Sequence, residues 1–155
     1  MRAILVGALV LTATAAAAGP LTERDGWVMV PTDKTYDALL EGTLEAVAAN
    51  KMGVVTQAGP TAMAAQRGFT IPGNRVIGVF RNDFAVSVIG LSTAAMIEAP
   101  IRMYVTENDD GTATLSYKTP SFVFGPYMEE GGAELEAIAA ELDGIFQTIA
   151  DTAVE

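Results

Sequence analysis

The segment Asn74–Asn82 constrains the fold of this chain more than any other part of its sequence. Successive side chains of a strand point to opposite faces, so its residues divide into two alternating sets. Val76 and Phe80 belong to one set, and Ile77 and Val79 belong to the other. Because both sets are apolar, the pattern predicts a central β-strand in a sheet that is covered on both faces. Helices packed against a sheet would provide that cover.

The first 18 residues have the pattern of a secretory signal peptide. A basic residue, Arg2, precedes the apolar run 3–11, and small residues lead to Ala18. The run is diluted by Ala and Thr and is shorter than the roughly 20 apolar residues of a membrane anchor. We therefore expect cleavage after Ala18, a mature chain 19–155 without an integral membrane segment, and a periplasmic or secreted location.

Charge and composition exclude several classes of function. The formal charge is −10, and it becomes −11 when the leader with Arg2 is removed. The remaining Lys and Arg residues are scattered, which argues against binding to nucleic acid. The sequence contains no Cys and no His. Disulfides, the usual zinc sites, His-dependent triads and cysteine nucleophiles are therefore excluded, and no cofactor or metal is predicted.

Local patterns along residues 19–155 predict a single α+β domain. Alternation around Asn108–Gly111 indicates a β-hairpin, because Asp-Gly suits a tight turn. Thr35 is placed as the N-cap of a helix. The pattern predicts strands at 26–30, 52–57, 74–82, 101–107 and 112–119, and helices at 36–50, 60–68, after 82 and from about 134 to the end. The patterns thus predict a sheet of about five strands with helices packed on it.

The order of several short segments resembles the bacterial domain-of-unknown-function family 302 (DUF302). The resemblance covers roughly residues 26–154 and depends on the order and spacing of its segments. These segments are Gly53-Val54-Val55, Arg81-Asn82-Asp83, Ile97–Ile101, Val105–Gly111 and Leu115–Pro120. It implies an α+β fold with helices against a mixed or antiparallel sheet, and a homodimer, but no assigned activity. Some relatives carry Cys near two of these segments, and because this chain has none, no thiol or metal chemistry carries over.

Six residues near strand ends form the candidate ligand-binding site, because strand ends are frequent places for ligands. They are Arg81, Asn82, Asp83, Glu98, Arg102 and Tyr117. Two arginines could hold an anion, and a carboxylate beside an arginine could act in acid-base chemistry. Purely structural roles explain the same residues. A helix cap at Asn82 or Asp83 is one, an ion pair between Glu98 and Arg102 is another, and packing of Tyr117 in the sheet is a third. Structural roles are favoured, and no residue is predicted to be catalytic.

A calcium site at residues 107–110 is a weaker alternative. Glu107, Asn108, Asp109 and Asp110 supply oxygen atoms, but their spacing lacks the pattern of an EF-hand loop. The geometry of a hairpin turn explains the same residues.

Two classes of function follow. The first is a non-catalytic envelope protein that binds a small molecule or a protein, as a homodimer. The second is a small cofactor-independent hydrolase or isomerase in which Glu98 or Asp83 acts with Arg81. A deep pocket that joins Arg81, Glu98 and Tyr117 would favour the enzyme. On the final helix, Phe146 widens the apolar stripe, and it belongs either to a dimer interface or to the chain's own core.

Overall fold

A computed structural model describes residues 21–155, so the predicted signal peptide 1–18 lies outside the described residues. Short 3₁₀ helices lie at Ala95–Glu98 and Gly125–Tyr127. The strands are β1 (Trp27–Thr35), β2 (Gly53–Ala58), β3 (Asn74–Phe80), β4 (Ile101–Glu107) and β5 (Thr112–Lys118). The helices are α1 (Tyr36–Ala49), α2 (Thr61–Gln66), α3 (Asn82–Leu91), α4 (Pro120–Phe124) and α5 (Met128–Val154).

The five strands form one sheet in the order β1-β5-β4-β3-β2, and every neighbouring pair is antiparallel. The predicted α+β fold with a five-stranded sheet is therefore confirmed. The segment expected to be the central strand, β3, is an interior strand, but β4 occupies the middle position. The reason is that the β4–β5 hairpin lies between β3 and β1, so β4 has two strands on each side.

Helices α1 and α5 pack on one face of the sheet and on each other. Ile77 and Val79 of β3 point into this core and are almost fully buried. The expectation of cover on both faces of β3 is met in part. On the face opposite the helices Gly78 is buried, whereas Val76 and Phe80 are half-buried. There a side chain at position 78 would collide with Thr56 and Pro100, so the close approach of these residues requires glycine.

The predicted turns and caps occur largely where expected. The Thr35 hydroxyl accepts a hydrogen bond from the Ala38 amide group, which confirms the N-cap of α1. The hairpin turn has Gly111 at a φ of 83°, and Asp110 Oδ1 accepts from the Thr112 amide group. The strand expected to end at residue 30 instead continues to Thr35 past an irregular register.

The final helix covers the core with one continuous apolar stripe. Leu135, Leu142, Phe146 and Ile149 are all buried. Phe146 is 0% exposed, and its ring lies 5.6 Å from the ring of Tyr117 at an angle of 54°. The account that assigned Phe146 to a dimer interface is therefore wrong, because the chain's own sheet buries the ring completely. The helix is interrupted by non-helical backbone at Gly132.

Candidate functional site

The face of the sheet opposite the helices carries a groove whose residues follow from the strand register. Val76 lies opposite Tyr104, and Tyr104 lies opposite Ser116. One step along the strands, Gly78 lies opposite Arg102, and continuation of the β4–β5 register places Arg102 opposite Lys118. Because alternate residues of a strand share a face, these two rows stand side by side on the open face of the sheet.

A cavity of about 280 Å³ occupies this part of the face. This volume is close to the roughly 300 Å³ at which the usual size range of ligand pockets begins. The sheet forms its floor, while the 3₁₀ helix 95–98 and α4 contribute Glu98 and Val123. We call this cavity the sheet groove. It is lined by Trp27, Val76, Glu98, Ile101, Arg102, Tyr104, Ser116, Tyr117, Lys118 and Val123.

Cationic and aromatic side chains meet at one end of the sheet groove. Trp27 pairs with Lys118 across β1 and β5, and the Lys118 ammonium lies 5.9 Å from the centre of the indole ring. The Arg24 guanidinium lies 5.7 Å from the same ring. Arg102 and Lys118 are both exposed, and among the described residues neither makes an ion pair with a carboxylate. Positive charge is thus concentrated here, although the whole chain is strongly acidic.

Glu98 lies at the wall of the sheet groove. Its Oε1 accepts a hydrogen bond of 2.8 Å from the Tyr127 hydroxyl group. This bond to a carboxylate favours the neutral phenol, so it raises the pKa of Tyr127 above its ordinary value. The predicted ion pair between Glu98 and Arg102 does not form among the described residues. Glu98 ends a 3₁₀ helix whereas Arg102 lies on a strand, so the two lack the helical spacing that would bring them together.

Tyr117 also lines the sheet groove, but its side chain is committed to the core. It is 2% exposed, and its hydroxyl group donates to Gln147 Oε1 of α5 at 3.3 Å. Burial, reinforced by the negative charges of Asp151 and Asp143, raises the pKa of Tyr117 to about 12. The phenol therefore remains protonated at neutral pH and packs in the sheet.

The three consecutive candidates Arg81, Asn82 and Asp83 lie elsewhere, at the start of α3. Arg81 Nε donates to Asp83 Oδ1 at 2.8 Å, and the guanidinium lies 4.0 Å from the centre of the Phe84 ring. The hydrogen bond from Arg81 lowers the pKa of Asp83. The N-cap position belongs to Arg81 and has no side-chain hydrogen bond, so the predicted capping role of Asn82 or Asp83 is wrong.

Arg81 lines a second, much smaller cavity of about 30 Å³ between β3, α3 and α5. The other lining residues include Val79, Phe84 and Phe146, so this space is almost entirely apolar. It has room for little more than a water molecule. The structure thus brings Glu98, Arg102 and Tyr117 to one cavity and leaves Arg81, Asn82 and Asp83 outside it.

The oxygen-rich hairpin residues have structural partners. Asn108 and Asp110 bond to Thr112 within the turn, and Glu107 Oε2 accepts from the Gly73 amide group at 2.6 Å. Within residues 21–155, no group of three or more acidic side chains is arranged to hold a metal ion.

Sequence reasoning identified three of the ten groove residues, Glu98, Arg102 and Tyr117, and missed the other seven, which include Trp27, Val76, Tyr104 and Lys118. Trp27 and Lys118 stand at the ends of strands that are far apart in sequence, so only the β1–β5 pairing brings them together. The available signal was polar-apolar alternation in β4 and β5. This alternation places Arg102, Tyr104, Ser116 and Lys118 on the face away from the core.

The fold and groove define a class: a small α+β domain with helices on one face of an antiparallel sheet and a ligand-sized groove on the other. In the span from residue 21 to 155, no helix has the length and hydrophobicity needed to cross a bilayer.

Comparison with known proteins agrees with this class. The family model described as "Domain of unknown function DUF302" matches residues 28–152, and the chain belongs to the DUF302 family. The fold is similar to the crystal structure of an uncharacterized conserved DUF302 protein from Bacillus stearothermophilus, with a TM-score of 0.73 and 16% sequence identity. That similarity covers 85% of this chain and 100% of the other. No match is found among curated proteins.

Proposed function

We propose that this protein is a non-catalytic binding protein of the bacterial envelope and that the sheet groove holds a small molecule. The observation that supports this proposal is the cavity of about 280 Å³ in which Trp27, Tyr104, Arg102 and Lys118 meet. Small-molecule sites combine an apolar or aromatic lining with a few polar groups that orient the ligand. The sheet groove has both parts.

The placement of the acidic residues favours binding over catalysis. A hydrolase or isomerase of the kind considered above needs Glu98 or Asp83 beside Arg81 in a cavity that admits a substrate. Glu98 lies in the sheet groove without Arg81. Asp83 contacts Arg81, but its side chain is 66% exposed, and the neighbouring cavity is too small for a substrate.

Native mass spectrometry of the protein purified from its own envelope fraction tests ligand binding. We expect a retained small molecule on the wild-type protein. Val76→Phe should abolish retention, because Val76 lines the sheet groove and the larger ring would fill it. The matched control is Val86→Phe, at a 61% exposed position on α3 outside the groove, which should retain the ligand. The proposal would be overturned if the wild-type protein carried no small molecule, or if both variants were folded and retained it equally.

The envelope location is supported by the signal-peptide pattern of residues 1–18. N-terminal sequencing of the cellular protein should begin at Gly19. Recovery of intact Met1 on soluble cytoplasmic protein would contradict export.

A homodimer is also part of the proposal. It is supported by the family resemblance and by large apolar side chains that are exposed in the described residues, such as Phe69 at 65% and Ile97 at 79%. Sedimentation equilibrium of the mature protein should give the mass of two chains at micromolar concentration. The mass of a single chain would show that this element of the proposal is wrong.

A further inference from the structure

We propose that the ligand of the sheet groove is an organic anion with a flat apolar body, such as an aromatic carboxylate. This inference rests on the proposed function, because it specifies the chemistry of the molecule that the groove would hold. Three features of the groove carry it: a pair of cations that face each other, an aromatic surface beside them, and a single carboxylate whose position is set by a hydrogen bond.

The two facing cations indicate that the ligand carries an anionic group. Arg102 and Lys118 lie opposite each other on neighbouring strands, where like charges destabilise a sheet. Within the described residues no carboxylate lies within ion-pair distance of either side chain. A bound carboxylate would neutralise this repulsion, and the Arg102 guanidinium can donate two parallel hydrogen bonds to it. Because the net charge of the whole chain is negative, an anion is attracted only where positive charge is concentrated locally, as at this pair.

The residues beside this pair of cations indicate that the rest of the ligand is apolar. Trp27 is next to Lys118 across the strands, and Val76, Tyr104 and Val123 also line the groove. Together they offer aromatic and aliphatic surface to a planar ligand, which would bury apolar area on both molecules. The cavity volume of about 280 Å³ limits this body to a compact group of one or two rings.

Glu98 restricts the charge that the ligand can carry. Among the described residues that line the groove it is the one acidic side chain, and Tyr127 holds one of its oxygen atoms. A second anionic group directed toward this wall would be repelled. We therefore expect monoanions to bind better than dianions of similar size.

The single tryptophan allows a direct test. Trp27 lines the groove, so the one indole N–H signal in an ¹⁵N spectrum reports occupancy of this site. We would titrate the mature protein with 2-naphthoate and with 2-naphthamide, which have the same ring system and differ in charge. The expected result is that naphthoate shifts the Trp27 signal with an affinity at least about tenfold higher than that of naphthamide, since charge-assisted hydrogen bonds exceed neutral ones. Added salt should weaken naphthoate binding and leave naphthamide binding nearly unchanged.

Substitutions then assign the charge preference to the two cations. Arg102→Gln and Lys118→Gln should each reduce naphthoate affinity several-fold and leave naphthamide affinity unchanged. Arg67→Gln serves as the control, because Arg67 is an exposed cation outside the groove. Removal of one of two facing like charges should not lower the melting temperature. The melting temperature of each variant is therefore measured in the same samples, to show that a loss of affinity is not caused by unfolding.

The outcomes separate this inference from the proposed function. Equal affinities for naphthoate and naphthamide at Trp27 would overturn the anion preference while ligand binding by the groove stands. No shift of Trp27 with either probe, combined with a retained small molecule that Val76→Phe removes, would overturn the aromatic carboxylate class and again leave groove binding in place. No shift together with no retained molecule would overturn both.

Discussion

The hydroxyl group of Tyr127 donates a hydrogen bond of 2.8 Å to Oε1 of Glu98 and so joins the segment before α5 to the 3₁₀ helix before β4. The two residues are 29 positions apart in sequence. Their contact sets the position of the one acidic side chain among the described lining residues of the sheet groove. The geometry of the groove wall is therefore determined by a tertiary contact.

Glu98→Gln should lower the pKa of Tyr127 toward its ordinary value of 10. The carboxylate raises this pKa chiefly by accepting the phenol hydrogen bond and secondarily by its charge. An amide at position 98 removes the charge and is a weaker acceptor. The measurement is an NMR pH titration of the Tyr127 ring, assigned by comparison with Tyr127→Phe. An unchanged titration midpoint in Glu98→Gln would show that the two side chains do not interact in solution.

Val79→Asp should destabilise the protein by at least about 3 kcal/mol or prevent folding, because it places a charge in an apolar core. Val79 is 2% exposed. Val86→Asp makes the same chemical change at a position that is 61% exposed, and it should cost less than about 1 kcal/mol. Urea unfolding of both variants gives the comparison. Similar midpoints would mean that the helix-covered face of β3 is misassigned.

Phe146→Ala should lower the free energy of unfolding by about 3 to 5 kcal/mol, since it leaves a cavity where the ring is completely buried. Val86→Ala, at a 61% exposed position on α3, is the control and should cost less than about 1 kcal/mol. Where Phe146→Ala remains folded, sedimentation should give the same subunit number as wild type. A folded variant with fewer subunits than wild type would show that Phe146 contributes to a subunit interface.

Stability should fall between about pH 10 and pH 12 because of Tyr117, whose pKa is raised to about 12 in the folded state. Below pH 10 the phenol is neutral in both the folded and the unfolded chain, and its full contribution is present. As the pH rises from 10, the unfolded chain loses this proton first, so unfolding becomes more favourable.

The measurement is urea unfolding at a series of alkaline pH values for wild type and Tyr117→Phe. The difference in unfolding free energy should shrink as the pH rises through this window. Asp151→Asn should lower the upper end of this window, because Asp151 contributes to raising the folded-state pKa of Tyr117. A pH-independent difference between wild type and Tyr117→Phe would contradict the assignment.

The candidate site could be predicted only in part. Arg102 and Glu98 were identifiable as polar groups beside a strand, and both line the groove. Arg81 was grouped with them because it also follows a strand. The end of β3 pairs with the start of β4, so Arg81 and Arg102 lie at the same edge of the sheet. Alternation separates them, because Arg81 continues the core-facing set of Ile77 and Val79, whereas Arg102 lies opposite Gly78. Arg81 consequently faces Phe84 and Asp83 of its own helix.

Local chemistry in the sequence determined the elements of this protein. Thr35 marks the start of α1, Asp110 and Gly111 shape the hairpin turn, and the apolar repeat in α5 predicts the face that packs on the sheet. These features depend on residues within a few positions of one another. Capping, turn geometry and helical periodicity act over that range, so they can be identified without knowledge of the fold.

Only the tertiary structure decided which face of the sheet is covered and where the groove lies. Both alternating sets of β3 contain apolar residues, so the sequence of this strand is compatible with helices on either side of the sheet. The groove in turn depends on the pairing of β1 with β5, which brings together Trp27 and Lys118, 91 positions apart in sequence. Such contacts depend on strand order and on the packing of α1 and α5 together on one side. Strand order and helix packing are properties of the whole chain, because they are selected by the burial that all elements achieve together.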